Sequence, residues 1–104
     1  MRMASAPSGC RMTTVCLQIG NGDDKLSQAQ WHAFVVELKC LIERSCAKVH
    51  FFGAPENWSQ QQNVAFVFEL DEAAVENVQT EVRNLRARFS QESAAWMQGN
   101  TLFI

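Results

Sequence analysis

The sequence has no arrangement of cysteine and histidine that is typical of a metal site. None of its four cysteines belongs to a Cys-x-x-Cys pair, and the only histidines are His32 and His50. Cys46 and His50 share one short segment, but two ligands are too few for a closed zinc site. We therefore predict no metal and no cofactor, and we expect buried or half-buried thiols in a reducing compartment at Cys10, Cys16, Cys40 and Cys46.

Long apolar runs and an excess of positive charge are also absent. No apolar stretch approaches the roughly 20 residues that span a bilayer, and residues 1–12 are too polar for a secretory signal. A net charge of −2 gives no electrostatic reason to bind a phosphate backbone. We predict a cytoplasmic chain without membrane or nucleic-acid partners, made of a flexible tail, residues 1–12, and a single domain, residues 13–104.

Two common catalytic signatures are missing as well. The sequence contains no glycine-rich phosphate loop and no Ser/His/Asp set. Gly20-Asn21-Gly22 is too short to hold a phosphate, and the acidic pair Asp23 and Asp24 that follows would repel one. The residues therefore neither indicate nor exclude an enzyme, and function has to be inferred from the fold.

The most strand-like stretch of the chain is residues 63–70. Its even-numbered residues, from Val64 to Leu70, are all large and apolar, and Ala65 and Val67 make most of the opposite face apolar too. A strand that is apolar on both faces normally lies in the middle of a sheet and is covered on both sides.

Two further strands and a helix precede this stretch. Residues 14–20 alternate apolar and polar side chains and predict the first strand, and residues 47–53 predict the second. The helix between them begins at Ser27, because Gln30 three residues later completes a capping-box pattern, and it ends near Ser45.

A second helix and a final strand follow. The helix begins at Asp71, a residue type favoured as an N-cap, and basic residues near its end complement the helix dipole. The polar residues 53–62 predict a wide hairpin loop. Residues 94–104 predict either one long strand with a bulge at Gly99 or a hairpin that turns at Gly99-Asn100.

The order strand, helix, strand, strand, helix, strand predicts a ferredoxin-like α+β fold. Both helices then cover one face of a mostly antiparallel sheet, with the first and third strands in the middle. Strict alternation places Val49 and Phe51 on the helix side. It places a mixed set of side chains on the open face: Cys16, Gln18, His50, Phe52, Ala65 and Val67.

This open face is too apolar to be left bare, so we predict that a second copy of the chain covers it. We expect Trp96 and the apolar residues 102–104 to reach across and hold such a homodimer. The chain is then a binding or assembly module. The alternative is a small-molecule-binding protein or enzyme with a pocket at the dimer interface, formed by Cys16, Gln18, His50, Glu56 and Trp58. His50 and Cys16 could act there as a base and nucleophile, but a lone histidine on a strand is more often a hydrogen-bonded structural residue, and we favour that interpretation.

Two other functions agree less well with the residues. An RNA-recognition domain has the same element order, but around Phe66 this chain keeps only the Ala-Phe-Val centre of the base-stacking motif, without its basic residue, glycine and first aromatic. The arginines of the second helix could hold an anion, although compensation of the helix dipole also explains them: Arg83, Arg86 and Arg88.

Overall fold

The part of the chain that the structure describes forms a four-stranded antiparallel sheet with two helices packed on one face. The computed structural model describes residues 11–20, 26–53, 63–91 and 93–104. Its strands are β1 (Met12–Gly20), β2 (Lys48–Gly53), β3 (Asn63–Asp71) and β4 (Ala95–Gly99), and its helices are α1 (Gln28–Ser45) and α2 (Val75–Arg88). The strands lie in the order β2-β3-β1-β4, and every neighbouring pair is antiparallel. The fold is the predicted ferredoxin-like one, with β1 and β3 in the centre.

Alternation along the two central strands produces a single core beneath the helices. Leu17 and Phe68 are fully buried, whereas Cys16 and Val67, which point the other way, are half-buried. The two helices contribute large side chains at helical spacing, as predicted. The fully or almost fully buried residues of largest volume are Phe34, Phe66, Phe68, Leu17, Leu38, Ile42, Leu70, Val15 and Val78.

Both predicted helix starts have a side-chain cap, but the second differs from expectation. Ser27 Oγ accepts a hydrogen bond from Gln30 N (3.2 Å), and Gln30 Oε1 accepts one from Ser27 N (2.9 Å), so the capping box is confirmed. Asp71 caps a short 3₁₀ helix, Glu72–Ala74, instead of α2 itself. The α-helix therefore begins at Val75, four residues later than predicted.

Strand β2 contains a bulge that alternation did not reveal. Val49 pairs with Phe68 and Phe51 pairs with Val67, so His50 is an extra residue between two consecutive partners. A single extra residue exchanges the faces of everything that follows it. Phe51 therefore lies on the open face and Phe52 lies on the helix side, and the predicted sides of both residues are wrong.

Contacts made by Phe52 confirm that it belongs to the helix side. Its ring lies 4.9 Å from the buried ring of Phe66, and Lys39 Nζ of α1 is 5.0 Å from the ring centroid. Strand pairing places Trp96 on the same side, opposite the buried Leu17. Its indole meets Phe68 edge-on at 6.2 Å, so Trp96 does not reach across the open face as predicted.

The end of the domain follows neither of the two predicted courses. Strand β4 stops at Gly99, and residues 100–104 have no regular secondary structure. At the other end, Met12 belongs to β1, although the sequence assigned it to the tail. The rest of the predicted tail, residues 1–10, and residues 54–62 of the predicted wide loop lie outside the described residues.

The described cysteines differ in their exposure. Cys16 and Cys46 are half-buried, as expected, whereas Cys40 on α1 is exposed, contrary to expectation. Burial raises the pKa of the Cys46 thiol above its ordinary value, so this thiol is a poor nucleophile at neutral pH. Cys10 lies outside the described residues.

Neither of the two helices described above is both long and apolar enough to cross a membrane. The cytoplasmic location of the protein stays a prediction.

Candidate functional site

The open face of the sheet, opposite the helices, carries a row of apolar side chains across all four strands. Phe51 pairs with Val67, Val67 with Cys16, and Cys16 with Met97. Directly paired residues project from the same face of a sheet, so these four side chains are neighbours. Phe51 and Met97 at the two ends are 54% and 52% exposed. We call Phe51, Val67, Cys16 and Met97 the apolar row.

The ring of Phe51 lies along the sheet surface instead of projecting away from it. A Cβ atom added to Gly53, two residues further along β2, would lie only 2.5 Å from Phe51 Cζ. The absence of a side chain at Gly53 therefore leaves room for the ring to lie across the backbone. This position makes the β2 end of the apolar row broad and flat.

A polar network lies beside the apolar row at one end of the same face. Glu69 Oε2 accepts a hydrogen bond from Thr14 Oγ1 (2.6 Å) and lies 2.9 Å from His50 Nε2. The hydroxyl groups of Thr14 and Thr101 are also hydrogen-bonded. We call Thr14, His50, Glu69 and Thr101 the polar network. It links β1, β2 and β3 to the segment that follows β4.

The polar network favours the ionised form of Glu69. The hydrogen bond from Thr14 is the largest cause that lowers the pKa of this carboxyl below its ordinary value. The hydrogen bonds of His50 and Thr101, and the charge of His50, act in the same direction. Partial burial raises the pKa, but by less than these groups lower it. At neutral pH Glu69 is therefore a carboxylate that accepts hydrogen bonds and orients the His50 ring.

Residues 100–103 pass over this end of the open face and form one wall of a cleft. The cleft has a volume of about 540 Å³ and is lined by Met12, Thr14, Lys48, His50, Glu69, Asn100, Thr101 and Phe103. Beyond it the chain presents three exposed apolar side chains: Leu102 (82%), Phe103 (81%) and Ile104 (114%). The sequence predicted that residues 102–104 reach across to a second copy of the chain, which stays a prediction. Their exposure excludes packing into their own fold.

His50 and Cys16 do not form a base and nucleophile pair. They lie on β2 and β1, which are separated by β3, and two strand spacings amount to about 10 Å. The sulfur of Cys16 instead accepts a weak hydrogen bond from Gln18 Nε2 at 3.7 Å. The partner of His50 is the carboxylate of Glu69, so this site can hydrogen-bond a ligand but lacks a neighbouring thiol.

Four of the seven candidate residues that the sequence singled out share the open face. These are Cys16, Gln18, His50 and Val67. Phe52 and Trp96 lie on the helix side, as described above. Trp58, like Glu56 in the same predicted loop, lies outside the described residues, so its part in a pocket stays a prediction.

Sequence reasoning missed four residues that the structure adds to this face. Alternation already places Thr14 on the same face as Cys16, although Thr14 was not singled out as a candidate, and it places Glu69 on the same face as Val67. Met97 follows Trp96 in a short edge strand and would have been found once the side of Trp96 was known. Phe51 was missed because no local feature of the sequence marks the bulge at His50.

Two observations bear on the other functions that the sequence raised. Phe66, the position that would stack on a base in an RNA-recognition domain, is only 1% exposed beneath the helices. It is therefore not available to a base. Within the described ranges, no group of three or more His, Cys, Asp or Glu residues is arranged to hold a metal ion.

Comparisons with known proteins identify similar folds. No protein-family model matches this chain, and no curated protein matches it. A dimeric ferredoxin-like protein of unknown function from Thermobifida fusca YX is 18% identical, with a TM-score of 0.59 over 86% of this chain and 92% of that chain. A dimeric protein of unknown function and ferredoxin-like fold from Bacteroides fragilis NCTC 9343 is 16% identical, with a TM-score of 0.57 over 86% and 96%. This similarity shows the ferredoxin-like fold.

Proposed function

We propose that this protein is a homodimeric binding or assembly module in which two copies pair through their open sheet faces. The observation that carries the proposal is the apolar row, which crosses the whole sheet and is exposed at both ends. Exposed apolar surface of this kind usually marks an interaction site. The two similar structures are both described as dimeric, and this chain covers 92% and 96% of their lengths.

The shape of the open face suits pairing with itself. In a two-fold dimer the same surface is used by both copies, so the surface must be complementary to itself. A flat apolar row meets this requirement, because the β2 end of the row in one copy can lie against the β4 end of the row in the other copy. The polar network at one end then lies at the edge of the interface, where polar groups are usually found.

The test is a measurement of mass in solution by light scattering on a sizing column. We expect the wild-type protein to be a dimer whose mass stays constant over a roughly hundredfold dilution. Val67→Glu places a carboxylate in the centre of each face, and burying it without a partner is costly. We therefore expect this variant to be a folded monomer, because the dissociation constant of the dimer should rise at least about a hundredfold.

Val36→Glu is the matched control. Val36 lies on α1, away from the open face, and is 43% exposed, so the same substitution there should leave the dimer intact. A wild-type monomer at all concentrations would contradict the proposal. So would a dimer that survives Val67→Glu but dissociates in Val36→Glu.

One observation favours small-molecule binding as a second candidate function. The cleft beneath residues 100–103 places the His50 and Glu69 pair at its wall, and Lys48 lines it as well. Ligand sites commonly combine apolar walls with a few polar groups that converge. A native mass spectrum of the purified dimer distinguishes the two functions. Extra mass that disappears in His50→Ala supports a ligand site, and the bare mass of two chains supports a sealed interface.

A further inference from the structure

A second crevice opens on the helix side of the sheet, between α2 and the edge strand β4. It has a volume of about 190 Å³. It is bounded by Leu17, Gln79, Val82, Arg83, Arg86 and Trp96, and by Ser93 and Ala94, which precede β4. An apolar cavity of about 150 Å³ holds a benzene ring, so this crevice is large enough for one ring with a short substituent.

The inner wall of the crevice is apolar and held in place. Leu17 is fully buried and Val82 is 5% exposed. The indole of Trp96 packs edge-on against Phe68, and its Nε1 donates a hydrogen bond to Gln98 Oε1 at 2.7 Å. These contacts hold the indole in one orientation, so part of its apolar surface is left bordering the crevice.

Two arginines give the mouth of the crevice a positive charge. Arg83 and Arg86 are one helical turn apart on α2 and both line the opening. Arg86 Nη1 donates to Gln91 O at 3.0 Å, which holds its side chain in place and leaves its other donors for a ligand. In the part of the chain that the structure describes, neither arginine has a carboxylate partner, whereas Arg88 pairs with Glu37 at 2.8 Å.

Compensation of the helix dipole does not account for Arg83. The effect is confined to the last turn of a helix, and the basic residues in the last turn of α2 are Arg86 and Arg88. Arg83 lies one turn earlier and points to the same opening as Arg86. The structure thus separates the three arginines into one ion pair with α1 and two side chains that face the crevice.

We propose that this crevice binds a small carboxylate that carries one aromatic ring. The ring packs against Leu17, Val82 and Trp96, and the carboxylate accepts hydrogen bonds from Arg83 and Arg86, whose planar guanidinium groups suit a carboxylate. The crevice lies on the side of the sheet opposite the apolar row. The proposal therefore does not depend on dimerisation.

The experiment uses phenylacetate as the probe and the indole N–H signals of the ¹⁵N-labelled full chain as the readout. Trp96→Phe identifies the signal of Trp96, since Trp31 and Trp58 also contribute. We expect phenylacetate to shift the Trp96 signal along a saturating curve. Phenylacetamide, which has the same ring without the charge, should bind about tenfold more weakly or not at all.

Two arginine variants make the test specific to the crevice. Arg83→Gln should weaken phenylacetate binding about tenfold. Arg88→Gln, which removes an equal charge outside the crevice, should leave binding within about twofold of the wild type, because an exposed charge is screened. Three results would each overturn the proposal: a shift that does not saturate, equal binding of phenylacetamide, or equal losses in the two arginine variants.

Discussion

Glu69 joins three strands and the segment after β4 through one carboxylate, and its effect on stability depends on pH. Its pKa is lower in the folded chain than its ordinary value, chiefly because Thr14 donates to it. A lowered folded pKa means that the unfolded chain binds a proton more readily as the pH falls. The stabilising contribution of Glu69 is therefore complete at neutral pH. The loss begins when the pH falls below about 4.3, the ordinary pKa of glutamate, and it is complete below the lower pKa of Glu69 in the folded chain.

Glu69→Gln tests this dependence. We expect the variant to be less stable than the wild type at about pH 7. The difference in unfolding free energy should be smaller at about pH 3, because protonation removes the Glu69 charge from a growing fraction of the wild-type protein as the pH falls. Urea denaturation at the two pH values measures it. Glu43→Gln, at an exposed position on α1, is the control. A pH-dependent difference of the same size in that variant would contradict the role given to the polar network.

Individual residues of the open face were predictable where alternation is strict. Cys16 and Val67 point away from the helices because each lies between fully buried neighbours on its own strand. Phe51 and Phe52 were not predictable, because two adjacent phenylalanines satisfy either register equally well. Only the tertiary pairing of β2 with β3, which passes over His50, determines which ring is buried.

The turn that ends helix α2 contains one residue, Ser90, in an unfavourable backbone conformation. Ser90, two residues after Arg88, has a φ of 58°, in the left-handed region that favours glycine. The conformation allows Gln91 N to donate to Arg86 O at 2.8 Å, which closes the last turn of the helix. A side chain at Ser90 therefore costs free energy that glycine would not.

We expect Ser90→Gly to raise the free energy of unfolding by about 0.5–1 kcal/mol. Ser45→Gly is the comparison, because Ser45 is the last residue of α1 and the residue after it is extended, with a φ of −99°. Glycine there should lower the free energy of unfolding by about the same amount. Thermal and urea denaturation of both variants provide the measurement. A loss of stability in Ser90→Gly would show that the serine side chain supplies a compensating contact.

The ends of helices and strands were predictable only where neighbouring residues in the sequence determine them. The capping box of α1 is contained in four consecutive residues, so the sequence located the helix start correctly. The sequence of residues 94–104 did not reveal that the last strand ends at Gly99 and that an irregular segment follows it. Thr101 is hydrogen-bonded to Thr14, which lies 87 residues away in the sequence, and no pattern within residues 94–104 indicates this contact.

For the whole molecule, the exposed apolar segment after β4 is the feature that a single copy leaves unexplained. Leu102 and Phe103 are more than four-fifths exposed, although each would gain about 1.5–3 kcal/mol if fully buried. Phe103 also lines the cleft at the end of the open face, so this segment lies beside the surface that we propose for dimerisation. Contact with the second copy would remove both side chains from water.

The double variant Leu102→Ser with Phe103→Ser separates the stability of the fold from that of the dimer. Because both side chains are exposed in one copy, the free energy of unfolding of the monomeric domain, measured in the Val67→Glu background, should stay unchanged within about 0.5 kcal/mol. The dissociation constant of the dimer, measured by sedimentation without the Val67 substitution, should rise at least about tenfold. If the dimer is unaffected while the monomeric domain loses stability, these residues pack against their own chain, and the second copy covers the apolar row alone.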